Sequence, residues 1–191
     1  MDCFWLDYRA GPRHGGSGEV MIARSTLILV FGAALATLAW AAATDPIATV
    51  TATFETDPVP HGGDAADDPA VWVHPTDPAL SVVIGTDKAG AGGLGVYNLD
   101  GSRRQFLIDG ALNNVDVRYG FPLAGRKIDL VAASDRGRRS IAFFRTDPAT
   151  RTLTKLVGPR VDLGTGFAPY GFCLYHSPRT GRFYAFVTRW A

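Results

Sequence analysis

The chain has 191 residues and a formal net charge of +1, so bulk charge does not indicate a nucleic acid or another polyanion as a partner. Its 22 glycines and 12 prolines favour a turn-rich, all-β fold, and its length permits one domain of moderate size. The two cysteines, Cys3 and Cys173, lie far apart, which excludes a disulfide framework and a Cys/His zinc site. Cys173 is in an apolar run and is expected to be a buried core thiol.

The first 43 residues have the composition of a targeting sequence. Residues 1–20 show no periodicity and are interpreted as a mis-assigned upstream extension outside any folded region. Residues 21–43 are interpreted as a signal peptide, because an arginine precedes an apolar run that ends in small residues, and this segment is expected to be helical. A membrane anchor is the alternative, for which the run is short. We expect cleavage near 41–43 and export to the periplasm or the extracellular medium.

Residues 64–75 carry the most distinctive local pattern. Asp64, Asp67 and Asp68 fall within five residues of one another, and the proline that follows biases Asp68 towards extended backbone. Clustered carboxylates suggest a hard cation, because calcium takes six to eight oxygen ligands. The alternative is that the three aspartates only stabilise a turn. The pattern therefore predicts an acidic loop at the start of a strand.

The rest of the chain is typical of short strands separated by turns rich in glycine and proline. The predicted strands are 48–54, 71–73, 81–86, 94–99, 102–108, 115–119, 128–134, 140–145, 153–157, 171–176 and 183–188. Residues 82–99 and 129–146 match with an offset of about 47 residues, which indicates repeated four-stranded units of the propeller-blade type. A β-sandwich is the alternative. For 44–191 we expect an all-β fold of two blades and part of a third, with essentially no helix.

Six stretches then point to one family. They are DAADDPAVWVHP (64–75), VIGTDKAG (83–90), LGVYNLDG (94–101), NNVDVRYGF (113–121), DLVAASDR (129–136) and YGFCLYHSPRTGRFYAFVT (170–188). In this order they resemble the β-propeller phytases, the calcium-dependent alkaline 3-phytases. The resemblance implies a six-bladed propeller, present here as about three blades. It also implies release of phosphate from phytate, myo-inositol hexakisphosphate, by water that calcium activates.

The resemblance also implies roles for particular residues. Asp67 and Asp68 would bind calcium, and Lys88, Arg136 and Tyr170 would bind phosphate and act in catalysis. Asn113 and Asp116 lie in a loop close to that site, so we assign Asn113 to substrate binding and Asp116, together with Asp64 of the acidic loop, to calcium binding. The residue types suit these roles, because a guanidinium presents a planar fork of donors to phosphate oxygens. Lysine adds a compact positive charge, and the tyrosine hydroxyl can donate a hydrogen bond. The alternatives are a solvated loop arginine, a turn lysine and a core tyrosine whose hydroxyl lies at the rim.

Two departures from the family pattern leave a second function open. Six blades need roughly 300 residues, whereas the body of this chain has about 145, so carboxylates of later blades are missing. After Thr188 the family continues with a small residue and a lysine, where this chain has Arg189 and Trp190. The alternative is a truncated, inactive propeller fragment that at most binds calcium or phosphate. As partners we expect calcium phytate, no nucleic acid and no membrane after signal cleavage; the complete protein is expected to be a monomer.

Overall fold

The computed structural model of the protein describes residues 50–156, 158 and 160–190, and the backbone of residues 3–8. The predicted signal peptide at 21–43 lies outside these residues. In the part of the chain that the structure describes, no helix is long and apolar enough to cross a membrane.

The described fold consists of antiparallel sheets. The strands are β1 (Cys3–Tyr8), β2 (Ala66–Trp72), β3 (Val82–Asp87), β4 (Gly93–Asn98), β5 (Arg103–Ile108), β6 (Leu112–Leu123), β7 (Arg126–Asp135), β8 (Ser140–Asp147), β9 (Thr152–Lys155), β10 (Val161–Asp162), β11 (Pro169–His176) and β12 (Phe183–Arg189). Among the described residues the only helical segment is a single 3-10 turn at Pro78–Leu80. The all-β prediction is therefore confirmed.

Three sheets account for the twelve strands. The first sheet has the order β2-β3-β4-β5, so strands adjacent in sequence are adjacent in space. The second has the order β10-β8-β7-β6, and β9 pairs with the same edge of β8 as β10 does. The third has the order β1-β12-β11. In the first two sheets, β2 to β5 and β6 to β9 are sequential antiparallel strands, which is the connectivity of propeller blades, and the architecture is that of a partial β-propeller.

The internal repeat is visible in the strand positions. The second strand of the match begins at Gly93 in the first sheet and at Ser140 in the second, which is the predicted offset of about 47 residues. Glycine at the first of these positions has a steric reason. A Cβ at Gly93 would lie 1.8 Å from the carbonyl oxygen of Leu107 on the neighbouring strand. The close approach of β4 and β5 at this point therefore requires glycine.

The second sheet is packed on both faces, which explains its apolar strands. Along β7, Val131 and Ala133 pack against the first sheet, in a cluster that contains Trp72. The alternate residues Leu130 and Ala132 pack against the third sheet. Successive side chains of a strand point to opposite faces, so a strand buried on both faces needs apolar residues at consecutive positions. β6 of the second sheet contacts β2 of the first and β11 of the third, and the candidate site lies where these strands meet.

Two sequence predictions about local structure are wrong. Residues 48–54 were predicted to be a strand, but residues 50–54 form none, and Val50 and Phe54 are 88% and 71% exposed. Alternating β-formers do not make a strand unless an edge is available for pairing. The chain instead anchors at Asp57, whose backbone N–H donates to the Gly101 carbonyl oxygen at 2.8 Å. Cys173 is exposed rather than buried, because its neighbours on β11 take the core-facing positions.

Two strands were not predicted. Residues 3–8, assigned to an extension without structure, form β1, which pairs antiparallel with β12 from Cys3 opposite Thr188 to Tyr8 opposite Phe183. The two-residue strand β10 is too short to show any periodicity in the sequence. The pairing of β1 does not bear on which methionine starts the natural chain, so that interpretation stays a prediction.

Candidate functional site

Asp64 lies in a loop, as the sequence predicted for the acidic stretch, but Asp67 and Asp68 lie within the strand that follows. Asp67 and Asp68 belong to β2, at a register shift between Ala66 and Pro69 in its pairing with β3. A β-bulge of this kind re-aims side chains that a regular strand would point alternately to its two faces. The backbone N–H of Asp68 donates to Thr86 Oγ1 at 2.9 Å, so a side chain of β3 compensates for the interrupted ladder.

Lys88 joins two of the predicted metal ligands. Its Nζ lies 2.9 Å from Oδ1 of Asp67 and 2.9 Å from Oδ1 of Asp64. The hydrogen bond that Lys88 donates to Asp67, followed by the one that it donates to Asp64, raises the pKa of Lys88 above its ordinary value. Asp64 is 90% exposed, whereas the Lys88 side chain is only 13% exposed. The lysine is therefore a fixed, charged group whose positive charge is balanced by carboxylates.

Asp68 and Asp116 each connect one sheet to the next. Oδ2 of Asp68 accepts a hydrogen bond from the Val115 backbone N–H on β6 at 2.9 Å. Oδ2 of Asp116 accepts one from the Leu174 backbone N–H on β11 at 2.8 Å. Oδ1 of Asp116 also accepts a hydrogen bond from Nη1 of Arg118, at 2.7 Å. Both oxygens of Asp116 are therefore engaged, whereas Asp68 uses one oxygen in the contacts of the described residues.

Asn113 links the residues of the first sheet to those of the third. Its backbone carbonyl accepts a hydrogen bond from the Thr86 hydroxyl at 2.8 Å. Its Oδ1 accepts one from Arg136 Nη1 at 3.3 Å, and its Nδ2 donates to the carbonyl oxygen of Tyr170 at 3.3 Å. The residue is 1% exposed. A buried amide with these contacts is expected to be a rigid support for the arginine.

Arg136 lies directly after β7 and is surrounded by neutral groups. Its Cζ lies 5.8 Å from the ring centroid of Tyr170 and 5.2 Å from that of Trp190. None of the ion pairs between side chains in the described residues includes Arg136. The guanidinium thus keeps its positive charge and most of its donors available for a negatively charged ligand.

A second group of cations lies beside Arg136 and was missed by the sequence reasoning. Oδ2 of buried Asp135 is 2.8 Å from Nη1 of Arg160 and 2.9 Å from Nη1 of Arg138. Buried Asp109 pairs with Arg160 at 2.7 Å and also with Lys155. Asp135 and Arg138 are only three residues apart, but Asp109, Lys155 and Arg160 come from distant parts of the chain, and no local spacing indicates that they join the same group. We call Asp109, Asp135, Arg138, Lys155 and Arg160 the ionic cluster.

The four predicted metal ligands do not come together in one group within the described residues. Asp64 and Asp67 meet at Lys88, while Asp68 and Asp116 make separate contacts between sheets. Within the described ranges no three His, Cys, Asp or Glu side chains are grouped closely enough to hold a metal ion. The metal-binding roles of the four aspartates stay predictions.

Comparison with known proteins gives the same family as the sequence motifs. The family model described as Phytase matches residues 18–190. The chain belongs to the phytase family. It is 49% identical over 142 residues to the 3-phytase of Bacillus subtilis (strain 168), a match that covers 73% of this chain and 37% of that relative. This phytase-family chain thus spans well under half the length of the curated relative that it matches.

Two further residues of this phytase-family site were not singled out as site residues by the sequence reasoning. Thr86 connects Asp68 to Asn113 through its hydroxyl, although it stands within the motif that contains Lys88. Trp190 contacts both Tyr170 and Arg136. Its position was noted only because the chain departs there from the family pattern, and that departure was the signal that could have found it.

Proposed function

We propose that this chain forms the phosphate-binding part of a calcium-dependent phosphomonoesterase that releases phosphate from phytate. The observation that carries the proposal is the environment of Arg136. A guanidinium fixed by a buried amide and two aromatic rings, without a carboxylate partner among the described residues, suits phosphate oxygens. Membership of the phytase family and the printed name of the relative, 3-phytase, support phytate as the source of that phosphate.

Lys88 and Tyr170 have supporting roles in this proposal. Lys88 supplies a second positive charge, and its pairing with Asp64 and Asp67 holds it just beyond the end of β3. Tyr170 is partly exposed, and its phenol can donate a hydrogen bond to a phosphate oxygen. Asn113 acts through Arg136 and the Tyr170 backbone, so we assign it a positioning role.

Asp67 and Asp68 are the residues that would hold calcium in this proposal. Carboxylate oxygens are the ligands that calcium prefers, and Asp68 uses one oxygen for the Val115 N–H. Asp64 is exposed and close enough to join Asp67, but Asp116 fits less well because Arg118 and Leu174 engage both of its oxygens. Calcium, when bound, neutralises phosphate charge and polarises a water molecule. The chain's own residues bind and orient the phosphate group.

The second candidate is a propeller fragment that binds calcium or phosphate without turnover. The arrangement of carboxylates favours it, because the four predicted ligands are divided between separate contacts in the described residues. Water activation needs several oxygen ligands around one cation. We therefore expect the 191-residue chain to bind phytate and calcium but to release phosphate efficiently only when further blades supply carboxylates.

Phosphate release from calcium phytate tests both candidates. The 191-residue chain is compared with a version extended by further propeller blades, and each is made with Arg136→Ala and with Arg179→Ala as a matched control on an exposed loop. We expect calcium-dependent release from the extended version, a strong fall in kcat/KM for Arg136→Ala, and no change for Arg179→Ala. Rapid, calcium-dependent release by the 191-residue chain alone would show that the catalytic carboxylates are assigned wrongly.

Export of the protein is part of the same proposal. The apolar run at 27–43 motivates it, and the residues concerned lie outside the described part of the chain. We expect material recovered from the periplasm or the medium to begin near Thr44. N-terminal sequencing checks this, and an exported protein that retains Met21 or Met1 would contradict cleavage.

A further inference from the structure

Trp190 follows β12 directly and contacts two of the proposed phosphate-site residues. Its backbone N–H donates to the Ala168 carbonyl oxygen at 2.9 Å, which fixes the start of its side chain. Its ring meets that of Tyr170 edge to face, with centroids 4.4 Å apart and an interplanar angle of 78°. The Arg136 guanidinium lies over the indole, with Cζ 5.2 Å from the ring centroid.

This contact fixes a cation without neutralising it. An arginine within about 6 Å of a tryptophan ring centroid is attracted to the ring by a cation–π interaction. A carboxylate in the same place would orient the guanidinium equally well, but it would compete with a phosphate for its donors. Asn113 takes one N–H of Arg136, and a guanidinium has five. Donors therefore remain for an anion while the side chain is already ordered.

We propose that Trp190 is a positioning residue for anion binding, which holds the Arg136 guanidinium against Tyr170 in the orientation that receives a phosphate group. This inference rests on the proposed function and adds a residue to its site. The gain is one of preorganisation, because a fixed arginine loses less side-chain freedom when the anion binds. Trp190 is 52% exposed, so burial of its own surface is not the main reason for its position.

Binding of phytate in the presence of calcium tests the proposal, with calorimetric titration of the 191-residue chain. Trp190→Ala is compared with Trp190→Phe, which keeps a ring face, and with Phe186→Ala, a matched change at another exposed aromatic residue, in the middle of the strand that precedes Trp190. We expect Trp190→Ala to weaken binding about two- to fivefold, the range of a cation–π contact at an exposed site. Trp190→Phe should recover most of the affinity, and Phe186→Ala should not change it.

A measurement on the ligand-free protein separates positioning from general stability. The Cδ protons of Arg136 should show upfield ring-current shifts and nuclear Overhauser contacts to the indole in the wild type. Trp190→Ala should remove them, while leaving the unfolding midpoint close to that of Phe186→Ala. Absence of these signals in the wild-type protein would overturn the proposal without any variant.

The same titrations distinguish failure of this inference from failure of the proposed function. If Arg136→Ala weakens phytate binding but Trp190→Ala binds as Phe186→Ala does, Trp190 is not a positioning residue and the phosphate site stands. If Arg136→Ala itself binds phytate like the wild type, the phosphate site is assigned wrongly and the role of Trp190 falls with it.

Discussion

Arg136 follows Asp135 in the chain and Arg160 pairs with it, and the two arginines show how differently one end of a sheet can use positive charge. Arg160 donates to two buried carboxylates, with its Nη1 2.8 Å from Asp135 and its Nη2 2.7 Å from Asp109. Arg136 contacts an amide and two aromatic rings. The first arginine is neutralised by the fold, whereas the second is held in place with its charge available.

The difference teaches that the number of cations near a site does not indicate where an anion binds. The ionic cluster has three cations for two carboxylates, yet its carboxylates are buried and hydrogen-bonded. A phosphate that entered the cluster would have to displace a buried carboxylate, which is costly. A phosphate at Arg136 would displace no carboxylate of the described residues. The predictions below separate a stabilising role for the cluster from a binding role for Arg136.

The largest expected effect is on stability, at Asp135. Asp135→Ala removes the buried acceptor that Arg138 and Arg160 share, and it leaves Asp109 as the one carboxylate of the ionic cluster for three cations. We expect the free energy of unfolding to fall by about 3–5 kcal/mol, as for a broken buried pair. Urea denaturation measures this, with Asp64→Ala as the exposed control, for which a loss of about 0–1 kcal/mol is expected. Equal losses in the two variants would show that the cluster does not stabilise the fold.

The next effect is on affinity, at Arg136. Arg136→Ala should weaken phytate binding about tenfold or more, because hydrogen bonds to charged groups contribute about 1.5–3 kcal/mol. Its free energy of unfolding should fall by about 1–2 kcal/mol, since it loses one long hydrogen bond to the Asn113 amide and cation–π contacts with exposed rings. Arg160→Ala should lower the free energy of unfolding more than Arg136→Ala does and should leave phytate affinity unchanged, under conditions in which the variant stays folded. Titration calorimetry and urea denaturation on both variants test this, and loss of affinity in Arg160→Ala alone would reverse the assignment.

A smaller effect distinguishes the two carboxylates that connect the sheets. Asp68→Ala and Asp116→Ala should each lower the free energy of unfolding by about 1–3 kcal/mol, because each leaves a backbone N–H unsatisfied. Calcium stabilises a protein that binds it by RT ln(1 + [L]/Kd), about 2.7 kcal/mol at a hundredfold excess over Kd. We expect the calcium-induced rise in Tm to fall in Asp68→Ala and to persist in Asp116→Ala. Thermal unfolding with calcium and with chelator measures both, and an undiminished rise in Asp68→Ala would limit that residue to the sheet contact.

The smallest effect concerns Lys88, which resembles Arg160 in being paired with carboxylates. Without calcium, Asp67→Ala should strengthen phytate binding a few-fold, because Lys88 loses one carboxylate partner and the site loses a negative charge.

The pKa of Lys88 is raised by its partners above 10.5, so its charge is kept below that pH and lost only as pH rises beyond it. The ratio of wild-type to Lys88→Gln affinity should therefore stay constant between about pH 7 and pH 9. A ratio that changes over this range would mean that Lys88 titrates there.

Much of the fold could be predicted from the sequence because its signals are local. Strand periodicity and the repeated hairpin pattern identified the sheets of a partial propeller, and the motifs around Lys88, Arg136 and Tyr170 identified the family. The environment of each cation could not be predicted. Arg136 and Arg138 stand in one short arginine-rich loop, and their roles differ only because of their tertiary contacts. Arg136 packs against Tyr170 of β11, whereas Arg138 pairs with Asp135.

The same limit applies to side chains whose surroundings come from another sheet. The run at 172–174 is apolar throughout, so its composition does not indicate which residue is exposed. Cys173 is exposed because successive side chains of a strand point to opposite faces. The aspartates at 67 and 68 were assigned to a loop because a bulge cannot be recognised in one strand without its partner. Trp190 contacts Arg136 across two sheets, and no spacing in the sequence connects them.

The most direct test of the comparison is to observe the arginine side chains while phytate is added. In the 191-residue chain labelled with 15N-arginine, NMR spectra can follow the Nε signals of Arg136, Arg138 and Arg160 during a titration with phytate in the presence of calcium. The account predicts a large shift at Arg136, and little change at Arg138 and Arg160, whose charges Asp135 and Asp109 already neutralise. Shifts at Arg138 and Arg160 with none at Arg136 would contradict it.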